Sequence, residues 1–248
     1  MPEGGAEAAG RGLDPAAVDV WLFDLDNTLY PAECNLFEQI DGKMMAYIQG
    51  LLGLDAEEAR ALKRRYFHEH GTTMNGLMHN HGIDPVSFLH FVHDIDVSPV
   101  PHCAELDAAL GRLPGRKIVF TNGSVAHAER VMARRGIAHH FEDIFDIVAS
   151  GYRPKPDAGT YDAVCRRFGL VPARAAMVDD IARNLEPAHA LGMTTVWVRC
   201  EHQWSSHGSA LGEPGAHIHH TVDDLVAWLT GLIPATTRAR PAEKWAGS

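Results

Sequence analysis

Four short apolar runs, at residues 18–23, 117–120, 175–178 and 194–198, each end abruptly in a loop, and a weaker fifth lies at 146–149. A strand with one wet face alternates apolar and polar residues, whereas near-continuous runs like these need cover on both faces. Between them lie segments of helical periodicity at 126–135, 157–168 and 184–191. Gly136, Gly169 and Gly192 stand just past those segments, where a helix commonly ends in the left-handed conformation. Strand and helix therefore alternate. The expected fold is α/β, a doubly wound parallel sheet of Rossmann-like form with helices on both faces.

Residues 33–98 break the alternation. Helical segments at 36–52, 56–69 and 85–92 follow one another with no strand pattern among them, so a small all-helical unit inserted after the first strand is expected. The core then comprises residues 16–32 and 99–233, the inserted unit 33–98, a flexible lead-in 1–15 and a loosely held tail 234–248.

Polar clusters follow the strand runs. Asp24-Leu25-Asp26-Asn27-Thr28 follows the first, Thr121-Asn122-Gly123 the second and Asp179-Asp180 the fourth, and Lys155 follows the weak run by a short loop. The carboxyl ends of parallel strands share one edge of the sheet, so these remote residues are expected to converge there. Asp24 and Asp26 are two apart and point the same way while the backbone stays extended. Two carboxylates about 4 Å apart repel by roughly 4 kcal/mol at an effective dielectric of 20, so four need a compensating cation. An all-oxygen donor set suits Mg²⁺ rather than zinc. A carboxylate beside such a cation can attack a phosphoryl group, and a second carboxyl can protonate the leaving oxygen and then activate water. A threonine hydroxyl and a lysine ammonium would bind the phosphoryl oxygens.

These residues, in this order, resemble the four motifs of the haloacid dehalogenase superfamily of phosphohydrolases. Asp24-Leu25-Asp26-Asn27-Thr28-Leu29-Tyr30 is similar to the first motif, Thr121-Asn122 to the second, Lys155 to the third and Asp179-Asp180 to the fourth. The resemblance spans roughly residues 18 to 230. It implies Asp24 as nucleophile, Asp26 as general acid/base, and Thr121, Asn122 and Lys155 as phosphate ligands. It also implies Mg²⁺ held by Asp24, the Asp26 carbonyl and Asp179, with Asp180 compensating for Asn184, which stands where many relatives have an acid. The inserted helices correspond to that superfamily's type-one cap. Leu29-Tyr30-Pro31 and the stretch from His70 through Thr72, Thr73 and Asn75 to Leu77 are similar to the pyrimidine 5′-nucleotidase branch. That likeness implies Tyr30, Thr72 and Thr73 as contacts to the non-phosphate part of the substrate. His70 departs from it, standing where that branch is expected to have an aromatic residue, and is the cap histidine expected to touch substrate.

Composition limits the rivals. With 22 Lys+Arg against 32 Asp+Glu the net charge is −10, which disfavours nucleic acid or an anionic membrane as partner and still allows a small anionic substrate, because a local cation can outvote the global charge. No apolar run approaches a membrane span, no signal-peptide pattern opens the chain, and the four cysteines have no paired spacing, so a cytoplasmic location is expected. The cluster His217-Ile218-His219-His220 lacks an acidic or cysteine partner at metal-site spacing and reads as a solvated loop. Trp197 reads as a core residue and Trp204 as an edge residue, and Arg134-Arg135 as a solvated helix end.

The expected activity is a Mg²⁺-dependent phosphomonoesterase acting through an aspartyl-phosphate, with a pyrimidine nucleoside 5′-monophosphate as substrate. The rivals are a phosphatase for a sugar phosphate or other small phosphoester, and a non-catalytic phosphate-responsive regulator that keeps the pocket.

Overall fold

In the computed structural model, which describes residues 13–199 and 215–233, the apolar runs become the strands of one sheet. These are β1 (Val20–Phe23), β2 (Arg116–Phe120), β3 (Asp143–Phe145), β4 (Ala175–Asp179), β5 (Thr194–Val198) and β6 (His220–Val222). Their order is β3-β2-β1-β4-β5-β6, and every pairing is parallel. The chain winds outward from β1 through β2 to β3, then crosses to the other side of β1 for β4. The neighbours β1 and β4 therefore flank the point where the winding reverses, the place where such sheets bind ligands.

The helices in chain order are α1 (Leu36–Leu52), α2 (Ala56–His70), α3 (Thr73–His81), α4 (Pro85–Val92), α5 (Ala104–Arg112), α6 (Val125–Arg135), α7 (Ala158–Phe168), α8 (Leu185–Ala190) and α9 (Leu225–Leu232). Side chains alternate across the sheet. Trp21, Phe23, Val119 and Val178 join one core with Leu110, Val131 and Leu229 from α5, α6 and α9. Leu22, Ile118, Phe120 and Met177 join a second with Tyr161, Val164 and Leu185 from α7 and α8. Trp21 is fully buried and still satisfies its indole, whose Nε1 donates to Pro114 O at 2.9 Å. Each such large side chain contributes about 1.5–3 kcal/mol by leaving water.

Helices α1 to α4 fill the interval between β1 and β2, with no strand among them. Asp55 opens α2 with a capping box: its carboxylate accepts from Glu57 N and Glu58 N, and Glu58 reaches back to Asp55 N. The close approach of α2 and α3 requires Gly76, since a Cβ there would fall inside the Tyr66 ring. The Tyr66 hydroxyl pairs with His81 Nε2 at 2.7 Å, and Tyr47 of α1 meets Phe88 of α4 edge-on at 4.9 Å.

Several expectations need correction. The third strand forms at Asp143–Phe145 rather than 146–149, because Asp146 uses its carboxylate to bind Val125 N and Ala149 N, at 3.1 and 2.8 Å, and so turns the chain. The histidine cluster at 217–220 is not a free loop. His220 begins β6, His217 Nε2 pairs with Ala182 O, and His219 Nδ1 accepts from Thr195 N. Arg135 is buried rather than solvated: its Nε donates to Leu29 O and one terminal nitrogen to Pro101 O, at 3.1 and 2.9 Å. It thereby ties together the segments that leave and re-enter the core. Trp197 is only partly buried, and its Nε1 donates to Asp180 O at 2.8 Å. Trp204, residues 1–12 and the tail from 234 lie outside the described residues. Among the described residues, no helix is long and apolar enough to cross a membrane.

Candidate active site

The chain leaves β1 still in the line of the sheet, so the Asp24 N–H donates to Val178 O of β4 at 2.8 Å. It then turns at Asn27, whose φ of 59° is left-handed. Asp179 is the last residue of β4, in the strand beside β1. Between the two carboxylates lies the fully enclosed ammonium of Lys155, from the loop between β3 and α7. Its Nζ is 2.7 Å from Asp24 Oδ1, 2.7 Å from Asp179 Oδ2 and 2.9 Å from Phe120 O. The lysine is aimed by Asn122, whose side chain accepts from Lys155 N at 2.8 Å and donates to Lys155 O at 3.2 Å. Thr121 is held at the tip of β2 by its N–H to Phe145 O, and its hydroxyl accepts from Gly123 N at 2.9 Å.

Asp24, Asp179 and Asp180 offer carboxylate oxygens within 4.8 Å of one another, all buried. With all three ionised they carry −3, and Lys155 returns only +1. The physical consequence is written into their acidities. Burial, reinforced by the neighbouring Asp179 and Asp26 charges against the pull of Lys155, pushes Asp24 up to about 7. Burial and the charges of Asp24 and Asp179 raise Asp180 well above its ordinary range. Lys155 is raised, because Asp179 and Asp24 outweigh the cost of burying its charge. A hard dication bound by oxygens would resolve this imbalance, so the residues present fit Mg²⁺. Asn184 stands behind the cluster, donating Nδ2 to both oxygens of Asp179 at 3.0 and 3.2 Å, and Ile181 N donates to Asp179 Oδ1. Its amide thus orients a carboxylate rather than replacing one.

Asp26 belongs to a separate arrangement. Its Oδ1 accepts from the Tyr30 hydroxyl at 2.6 Å and meets His127 Nε2 at 2.9 Å. Burial alone would raise this carboxyl, but the charge and hydrogen bond of His127, with the bond from Tyr30, hold it down at about 2. His127 is fully buried on α6, its Nδ1 has no partner, and its ring lies parallel to that of His93 with centroids 4.6 Å apart. His93 is anchored through Nδ1 to Ser124 Oγ at 2.9 Å, and burial, then the His127 charge, lowers it to about 3.

A model of haloacid dehalogenase-like hydrolases matches residues 18–192, which covers every polar cluster at the sheet edge. The chain belongs to this hydrolase family. Phosphate metabolism protein 8 of Saccharomyces cerevisiae is 30% identical over 198 residues, 73% of this chain and 61% of the yeast protein. A glyceraldehyde 3-phosphate phosphatase of Methanopyrus kandleri is 25% identical over 193 residues, 72% of this chain and 82% of that protein. The fold is likewise that of a haloacid dehalogenase-family phosphatase from Thermococcus onnurineus, at TM-score 0.57 and 16% identity over 87% of this chain and 97% of the other.

Within this hydrolase, the other sequence-derived contacts lie elsewhere. Tyr30 is 1% exposed and serves Asp26. Thr72 caps α3, accepting from Asn75 N, and buried Thr73 donates to Lys63 O. His70 is the one that faces open space, on a cavity of about 530 Å³ shared with Asn75, Met78, His79, Gly151 and Tyr152. Sequence reasoning passed over His127 and Tyr152. The signal for His127 was its place on the buried stripe of α6 with Val131 and Arg135, where a polar ring needs a partner.

Proposed function

We propose that this hydrolase is a Mg²⁺-dependent phosphomonoesterase that works through an aspartyl-phosphate on Asp24, with a nucleoside 5′-monophosphate, preferentially a pyrimidine one, as substrate. The observation that carries the reading is the fully buried Lys155 ammonium bonded at 2.7 Å to both Asp24 and Asp179. Two carboxylates on one ammonium, with Asp180 beside them, make a donor set suited to a dication and a phosphoryl group together. Mg²⁺, held by Asp24, Asp179, Asp180 and the Asp26 carbonyl, would neutralise charge on the phosphoryl oxygens.

Lys155 and the Thr121 hydroxyl hold the phosphoryl oxygens, and the Asp24 carboxylate attacks phosphorus. The ester P–O bond breaks as the P–O bond to Asp24 forms. The leaving oxygen takes a proton from Asp26. Asp26 carries this proton from the water consumed in the preceding hydrolysis step, and the phosphate dianion arriving beside it favours the protonated carboxyl against the pull of His127. Ionised Asp26 then accepts a proton from water as the water attacks phosphorus, releasing phosphate and regenerating Asp24. Tyr30 and His127 keep the Asp26 carboxylate in line for both transfers.

Helices α1 to α4 act as the cap that selects the leaving group and excludes water from the first step. The cavity lined by His70, His79, Asn75 and Tyr152 receives the nucleoside; its aromatic rings suit a base, and its amide and imidazoles suit a sugar. The Methanopyrus relative's name favours a second reading, a small sugar-type phosphoester. Phosphate release with Mg²⁺ across UMP, CMP, AMP, GMP and triose and hexose phosphates distinguishes them. UMP and CMP as best substrates support the nucleotidase, and preference for the sugar phosphates overturns it. Failure of wild type to release phosphate from every one overturns the enzymatic reading in favour of a phosphate-responsive regulator.

A further inference from the structure

The chain carries 16 histidines, and two of them close on a single carboxylate in a group separate from the Asp24 cluster. Asp107 lies on α5, and His139 and His140 lie in the 3-10 turn Ala138–His140 that leads into β3. The Nε2 atoms of His139 and His140 stand 3.0 and 2.6 Å from the same atom, Asp107 Oδ1. Successive residues of a 3-10 turn project about 120° apart, so both rings reach one oxygen only by side-chain rotation toward it. Their centroids are 4.0 Å apart, and ligand atoms from all three residues lie within 4.8 Å of one another.

Two glycines make room for the rings. A Cβ on Gly111, one turn along α5 from Asp107, would press on His140 Cε1 at 3.3 Å. A Cβ on Gly136 would collide with His102, a third imidazole whose charge also acts on Asp107. We infer that Asp107, His139 and His140, flanked by His102, bind a transition-metal dication of the Zn²⁺ class. Mixed imidazole and carboxylate donors select such ions, whereas the all-oxygen set around Asp24 selects Mg²⁺. Tetrahedral ligands about 2.05 Å from zinc are roughly 3.3 Å apart, so these donors need spread by only tenths of an ångström. In binding, each histidine gives up the Nε2 proton it holds toward Asp107 and turns that nitrogen's lone pair to the ion.

The position assigns a structural role. Asp107 lies in the first turn of α5 and the two histidines in the turn that leads into β3, so the ion would tie that helix to the entry of an edge strand.

The test is calorimetric titration of the untagged 248-residue chain with Zn²⁺, with Mg²⁺ in excess to occupy the acidic centre. Wild type, Asp24→Asn and His70→Gln are expected to take one equivalent with equal affinity. Asp107→Asn and the double variant His139→Gln/His140→Gln are expected to bind at least about tenfold more weakly, and zinc is expected to raise the Tm of wild type but not of these two. His139 is 64% exposed, so His139→Gln alone gives a folded control of weakened affinity. Absence of saturable zinc binding in wild type, unchanged affinity in Asp107→Asn, or loss of the equivalent in Asp24→Asn would each overturn the inference.

Discussion

Replacing Asp24 by Asn is expected to inactivate the enzyme and, in metal-free buffer, to stabilise it. Asp24 is buried beside Asp179 and Asp26, and its acidity is pushed up from 3.8 to about 7 despite the Lys155 contact. A carboxyl whose folded pKa is raised stabilises the protein fully below its unfolded pKa and loses that contribution as pH rises through the folded one. Wild type without Mg²⁺ therefore loses stability between about pH 4 and pH 7. Roughly three units at 1.36 kcal/mol each give a loss of about 4 kcal/mol from this group. Asparagine keeps the shape and never ionises, so the variant escapes the loss. Urea unfolding in EDTA at pH 5 and pH 8 is the assay. The variant should already be more stable by about 1–2 kcal/mol at pH 5, and the gap should widen to about 4 kcal/mol at pH 8. Saturating Mg²⁺ should close the gap. A variant less stable at pH 8, or a difference independent of pH, would refute the idea that uncompensated charge strains the metal-free site.

Lys155→Met should do the reverse, costing about 3–5 kcal/mol in EDTA at pH 8 and abolishing turnover, because two carboxylates lose the buried ammonium they share; unchanged urea midpoints would contradict this. His127→Leu should lower kcat about 10- to 100-fold with KM changed less than about twofold, since it disturbs Asp26 and not the phosphate ligands. Recovery by His127→Gln, which can donate from a similar position, would separate alignment of Asp26 from mere packing. Arg135→Met should cost about 2–4 kcal/mol, as the Leu29 and Pro101 carbonyls are left without their donor; a loss under about 0.5 kcal/mol would show that the clamp adds nothing.

The core strands were legible because doubly covered β strands are near-continuous apolar runs. So was the convergence of Asp24, Thr121 and Asp179, because each stands at the end of a strand and parallel strands end on one edge, whereas Lys155 joins them from the loop between β3 and α7. Edge elements were not. Asp143–Phe145 has only two apolar residues and pairs on one side, so no periodicity marks it. The short helix α3 escaped notice because its apolar residues are interleaved with Asn and His, and its packing rests on Gly76 admitting the Tyr66 ring. Arg135 looks like a helix-end charge in sequence and becomes a buried clamp only when Leu29 and Pro101 arrive from elsewhere. The roles of Tyr30 and His127 depend on one carboxylate oxygen shared across 101 positions of sequence, a relation no local pattern carries.

The central claim is that phosphorus is transferred to Asp24. Rapid acid quench of Asp26→Asn with UMP and Mg²⁺, followed by peptide mass analysis, tests it directly, because loss of the base slows hydrolysis of the intermediate. The account predicts one phosphoryl group on the peptide containing Asp24, and none when Asp24→Asn is added. A phosphoryl group on any other residue, or wild-type turnover that persists in Asp24→Asn, would contradict it.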